Sequence, residues 1–227
     1  MATPLAAIVT VLKPKRRWAQ FSLGTMFLVV TALCVWLGLH VEAVNRQRAV
    51  VAAIRALGGE CYYDYEADGN PFADSVPPGP EWLRECLGID HLASITAVHL
   101  YKRAQIPRAL PHLCKLPKLA ALSVDLKGQP AFTDDDVAQI KALTGLARFY
   151  IAAATETDSL LAAVASLPHL ETLHMYECAL GDNGLRHIGR MKSLRVLRLT
   201  RNEITDAGLI HVRALTELRK LDLTMKP

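Results

Sequence analysis

Charge is missing from one long stretch near the start of the chain. From Trp18 to Leu39 there are 22 residues without an Asp, Glu, Lys or Arg. A helix of that length spans about 33 Å, against a bilayer core of about 30 Å. Phe21, Leu23, Met26, Phe27, Leu28 and the apolar residues after them supply its surface, and Trp18 and Trp36 stand near the two ends, where amphipathic rings settle. The pattern predicts an N-terminal transmembrane helix over residues 18–40. Two other readings compete with it. A buried soluble helix normally carries a polar stripe, and this run shows none. A cleaved signal peptide has an apolar region of about 7–15 residues, shorter than this one, although Val41-Glu42-Ala43 weakly resembles a small-residue cleavage site. Residues 4–12 form a second apolar patch, too short to span.

Downstream the spacing changes. Val44 and Val51, with Ala43, Val50, Ile54 and Leu57, recur at helical intervals, so a helix runs on from Glu42 to Leu57 until Gly58-Gly59 stops it. Glu60 to Tyr65 is rich in strand formers, with Cys61, Tyr63 and Tyr65 on one face. Gly69-Asn70-Pro71 and Pro77-Pro78-Gly79-Pro80 mark a loop over residues 67–80. A short helix follows, with Trp82, Leu83, Cys86 and Leu87 as its apolar positions. Residues 41–94 thus read as a juxtamembrane helix and a small α+β cap.

From Ile95 the chain becomes periodic. Leu170, Leu194 and Leu218 are 24 residues apart, and so are Leu173, Leu197 and Leu221, and Met175, Leu199 and Leu223. Cys178 matches Asn202, Leu180 matches Ile204, Asp182 matches Asp206 and Gly184 matches Gly208. The phase persists backward through Leu146, Phe149 and Ile151. Leu119, Leu122 and Val124 open a repeat three residues longer, and Ile95, Val98 and Leu100 the earliest. Residues 95–227 hold about five repeats and a partial sixth. In each, the L-x-x-L-x-L stretch makes a short strand with its Leu residues inward, and the units must stack because none can bury its own edge. Asn202 is placed to satisfy backbone groups at the turn, and Thr205 or Asp206 to cap the next helix.

This period is the leucine-rich-repeat signature, and Ile204-Thr205-Asp206-Ala207-Gly208-Leu209 resembles the I-T-D-x-G-L type of repeat. The expected fold class is α/β: a leucine-rich-repeat solenoid with parallel strands on the concave face and helices on the convex face. The whole layout resembles a bacterial family of short, membrane-anchored leucine-rich-repeat proteins. The resemblance rests on Arg16-Arg17-Trp18 and Phe21-Ser22-Leu23 before the helix, Ile54-Arg55-Ala56-Leu57-Gly58-Gly59, Tyr62-Tyr63-Asp64-Tyr65, and Glu81-Trp82-Leu83-Arg84 before the repeats. It implies architecture more than activity.

Charge refines the picture. The net +4 resides in Lys13, Lys15, Arg16 and Arg17, because from Val41 onward basic and acidic residues number 26−4=22 and 22. A neutral body offers no nucleic-acid footprint. The basic flank, residues 1–17, is expected to be disordered. It faces Arg46, Arg48 and Arg55 across the helix, which favours a cytoplasmic N-terminus and repeats outside. Cys34, Cys61, Cys86, Cys114 and Cys178 show no zinc spacing, while Cys61 and Cys86 can pair if their compartment is oxidising. Asp134-Asp135-Asp136 reads as a helix cap and solvated loop rather than a cation site. No nucleophile elbow, P-loop or metalloprotease helix is present, so neither enzymatic activity nor a metal or other cofactor is expected.

Outward strand positions line the concave face. His99, Tyr101, Arg148, Tyr150, His174, Tyr176 and Arg198 make it aromatic and basic, a composition suited to a protein or peptide partner. The competing explanation is that strands simply favour Tyr. The expected function is a membrane-anchored interaction module. The alternative is an envelope protein that self-associates through a C-terminal edge, since the sequence reaches Lys226-Pro227 just after the last strand with no closing helix.

Overall fold

The computed structural model describes residues 23–66, 77–126, 132–155 and 157–224. The flank over 1–17, the start of the predicted membrane helix, most of the 67–80 loop and Lys226-Pro227 lie outside the described residues. The chain divides into two compact units, Met1–Val41 and Glu42–Pro227.

Helix α1 runs from Leu23 to Ala56. In the first unit its apolar side chains are exposed among the described residues: Phe27 is 71% exposed and Leu28 67%. The helix is long and apolar enough to cross a membrane, a test that a signal sequence near an N-terminus also passes.

In the second unit α1 turns amphipathic. Val44, Val50, Val51 and Ile54 are buried on one side. Polar residues fix that side. The Gln47 amide donates to the Ala93 carbonyl at 3.1 Å, Arg48 Nε donates to Asp90 Oδ2 at 3.1 Å, and the Tyr63 hydroxyl donates to Asp90 Oδ1 at 2.9 Å. Gly58 ends the helix in the left-handed region at φ +81°, and the Gly59 N–H returns to the Ile54 carbonyl at 2.9 Å. Strand β1, Glu60–Tyr63, then pairs antiparallel with β2, Ile95–Leu100, and covers the sheet edge. Helix α2, Glu81–Leu87, forms where expected, but none of its residues is buried and Trp82 is exposed.

The remaining strands are parallel: β3, Ala121–Asp125; β4, Arg148–Ala152; β5, Thr172–Tyr176; β6, Val196–Arg198; and β7, Lys220–Asp222. Four helices alternate with them: α3, Ile106–Leu113; α4, Asp134–Lys141; α5, Asp158–Val164; and α6, Asp182–Ile188. The last repeat has a 3-10 helix, Gly208–Ala214, in the same place. The expected solenoid is therefore the fold. Ala121 stands opposite Arg148, 27 residues on, whereas Arg148, Thr172, Val196 and Lys220 pair at intervals of 24. The longer repeat contains residues 127–131, outside the described set. Leu122, Phe149, Leu173 and Leu197 form a sealed interior row, each no more than 1% exposed. Their equivalent in β7, Leu221, is 44% exposed.

Turn chemistry explains the remaining consensus positions. Asn202 is buried, and its Oδ1 accepts from the N–H groups of Cys178 at 3.0 Å and Leu180 at 3.3 Å. Its Nδ2 donates to the carbonyls of Met175 at 2.8 Å and Thr200 at 3.2 Å. One repeat earlier the Cys178 thiol reaches the equivalent carbonyls of Ile151 and Tyr176, at 3.6 and 3.4 Å. After successive strands Ala153, Glu177 and Arg201 adopt left-handed conformations, with φ of 51°, 52° and 57°. Each donates its N–H to the next repeat, to Tyr176, Thr200 and Thr224 respectively.

Two expectations need correction. Thr205 does accept from the Ala207 N–H at 3.3 Å, but its hydroxyl donates back to Asp182 of the previous repeat at 2.7 Å. Gly208 permits this approach, because a Cβ there would sit 2.2 Å from Asp182 Oδ1. Asp136 is not solvated. It is fully buried, completes a capping box with Thr133, and pairs with Arg103 at 2.6 Å. Sequence spacing cannot show that Arg103, 33 residues earlier, arrives above that helix start.

Candidate functional site: the concave face

Parallel register turns scattered residues into rows. His99, Ser123, Tyr150, His174, Arg198 and Asp222 are successive partners from β2 to β7. A second row carries Ala97, Ala121, Arg148, Thr172, Val196 and Lys220. With strands about 4.8 Å apart, six of them give a surface about 24 Å wide.

The structure brings the sequence-predicted residues together as two groups. At the centre Tyr150 meets His174 edge to face, with centroids 4.8 Å apart, and Arg198 stands next in the row. Arg201 lies over the Tyr176 ring, 5.5 Å from its centroid, while pairing with Glu177 at 2.8 Å. At the N-terminal end His99 stands edge-on to Tyr101 at 6.4 Å. Ser123 and Asp125 of β3 separate this group from Tyr150.

Sequence reasoning missed two members of the N-terminal group, Glu60 and Tyr62. They alternate with Cys61 and Tyr63, which point into the core, so antiparallel pairing places Glu60 opposite His99 and Tyr62 opposite Ala97 on the concave side. The period-2 pattern of β1 carried that signal. Its pairing partner could not be read, so the face it joined was unknown. The Tyr101 and Tyr62 hydroxyls both donate to Glu60 Oε2, at 2.5 and 2.6 Å. The Tyr62 and His99 rings lie 4.7 Å apart.

Electrostatics follows from these contacts. The Tyr101 and then the Tyr62 hydroxyl hold the Glu60 carboxyl below its usual range. Burial lowers the pKa of His99, with Glu60 opposing. Burial first, then Arg198 and Lys220, bring His174 down to about 4, against Asp222. At neutral pH both imidazoles are uncharged, each offering one donor and one acceptor. Burial raises the Cys61 and Cys178 thiols to about 11, which keeps them protonated. Cys61 and Cys86 are both free, the first buried and the second exposed. Among the described residues no three His, Cys, Asp or Glu side chains gather in a way that could hold a metal. A cavity of about 330 Å³ lies between the starts of α5 and α6 and includes none of the concave-face residues.

The family match agrees with this architecture. Residues 166–189 and 190–211 match the family described as Leucine Rich repeat. No curated protein matches the chain. Among solved structures, an internalin (inlF) from Listeria monocytogenes is similar over 57% of this chain and 54% of its own, at 14% identity and a TM-score of 0.31. The chain spans about half the length of that protein. The chain is a leucine-rich-repeat solenoid. Such domains are typically non-catalytic protein–protein interaction modules, which present one extended concave surface.

Proposed function

We propose that this chain is a membrane-anchored interaction module that binds a protein or peptide through its concave face. The row from His99 through Ser123, Tyr150 and His174 to Arg198 carries the reading. It combines aromatic area, neutral imidazoles and a guanidinium on a rigid sheet. Residues 18–40 supply the anchor, the basic flank stays in the cytoplasm, and the repeats lie outside it. This is the arrangement of the bacterial membrane-anchored repeat proteins that the sequence resembles. No nucleic acid is involved. Site-specific photo-crosslinking in cells tests the face: a crosslinker replacing Tyr176 is expected to capture a partner and one replacing His169, exposed beyond the strands, is not. Adducts from position 169 alone would refute it. Protease treatment of intact cells tests the topology, and protected repeats would reverse it.

Exposed Leu221 favours a second reading, self-association along the β7 edge. Sedimentation of the full chain, with Leu221→Lys alongside, distinguishes the two. A strict monomer at high concentration removes it.

A further inference from the structure

We infer that Glu60, Tyr62, His99 and Tyr101 form a recognition site for a cationic side chain, a lysine or arginine of the bound partner. The inference rests on the concave-face reading and names the chemistry at its N-terminal end.

Geometry supplies the first part of the case. Both phenols donate to the same carboxylate oxygen, Oε2. They orient the carboxylate and leave Oε1 without a hydrogen bond from a described residue. Three aromatic rings adjoin that carboxylate, the two phenols that donate to it and its register partner His99, with Tyr62 tilted 52° to His99 and Tyr101 at 76° to it. Aromatic faces attract cations, and a nearby carboxylate adds directional hydrogen bonding.

Charge supplies the second. Glu60 is exposed, and its acidity is enhanced by the two phenols and His99, with no lysine or arginine contributing. The carboxylate is therefore ionised but has no basic partner among the described residues. His99 stays neutral and does not repel an incoming cation. A hard metal ion fits poorly, because it demands several oxygen ligands and one oxygen is free here. An ammonium or guanidinium needs only the arrangement present.

Rigidity supplies the third. Glu60 and Tyr62 reach this face because Gly59 packs without a side chain against Ile54 and the His99 carbonyl, where a Cβ would come within 2.8 and 3.1 Å. The β1 pairing then fixes both residues against β2. Little reordering is left for binding to oppose.

The test uses the full chain in a non-ionic maltoside, since a choline headgroup would compete. Histidine-labelled protein is titrated to 10 mM with an acetylated, amidated alanine pentapeptide carrying one central lysine. The same peptide with norleucine is the control. A saturable shift of the His99 resonance is expected with lysine only, with affinity falling about tenfold in Glu60→Gln, a step of about 1.4 kcal/mol. Tyr101→Phe should weaken it several-fold while leaving the fold intact by circular dichroism. Equal responses to lysine and norleucine, unchanged affinity in Glu60→Gln, or no shift at 10 mM would each overturn the inference. Crosslinks from position 176 without a lysine response would remove this site and leave the concave face standing. Loss of both would remove the concave-face reading as well.

Discussion

Replacing Asn202 by Ala isolates the contribution of one turn residue to the stacking of two repeats. The substitution removes four hydrogen bonds at a buried site. The Thr200 carbonyl keeps the Glu177 N–H at 3.1 Å. The N–H groups of Cys178 and Leu180 lose the only acceptor they have among the described residues. Each orphaned buried donor costs about 1–3 kcal/mol, and a water entering the vacated volume recovers part of that, so the net loss is about 3 kcal/mol. Cys178 calibrates the middle of the series. Its thiol already fills the equivalent site one repeat earlier, as a weak donor. Asn202→Cys should therefore cost about half as much as Asn202→Ala. Asn202→Asp keeps the acceptor but turns a charged oxygen toward the Met175 and Thr200 carbonyls. Its folded pKa then lies above the unfolded value of about 3.9, so its penalty is absent below that pH and grows as pH rises through the folded pKa. Urea unfolding of the full chain in maltoside, followed by far-UV circular dichroism, measures all three. A cost below about 1 kcal/mol for Ala, or a larger cost for Cys than for Ala, would refute the assignment of these bonds as the link between repeats.

Three further outcomes follow from the same contacts. Arg103→Met strands a fully buried carboxylate at Asp136 and should destabilise by about 3–5 kcal/mol, with Arg103→Met/Asp136→Ala recovering part of it; equal stability of single and double variants in urea would contradict a coupled pair. Gly208→Ala forces Asp182 away from Thr205 and should cost about 2 kcal/mol, whereas Gly38→Ala, with nothing within 4 Å of a Cβ, should cost nothing in a thermal melt. His174 titrates near 4 when folded and near its ordinary 6.5 when unfolded, so the unfolded chain binds more protons between those values and stability falls as pH drops through that window. At this half-exposed site solvent limits the effect to about 1 kcal/mol, and His174→Gln should flatten the acid limb of a stability–pH curve by that amount.

The solenoid was legible because its cause is periodic. Leu146, Leu170 and Leu194 repeat at a fixed interval and face one interior, so spacing alone located strands, inward positions and even the longer repeat. The concave rows followed, since outward positions alternate with inward ones. Contacts that join different periods were not legible. Arg103 with Asp136, and Glu60 with Tyr101, are separated by 33 and 41 residues and share no register. Trp82 shows the opposite limit, an apolar position of the expected short helix that stands exposed because α2 buries none of its residues.

Structural work and surface chemistry are carried by different residues in this fold. Leucines inside, Asn202 and Cys178 at the turns, and Asp182 with Thr205 between neighbouring repeats hold one unit to the next. None of these side chains reaches the concave rows. Outward strand positions are therefore free to vary at little cost in stability, which is why a consensus recoverable from Leu and Asn positions says nothing about a partner. It also follows that substitutions at Tyr150, His174 or Arg198 should alter binding while leaving unfolding at neutral pH nearly unchanged, whereas those at Asn202 or Asp182 should do the reverse. A variant set that moved both properties together would show that the sheet face, too, holds the repeats in place.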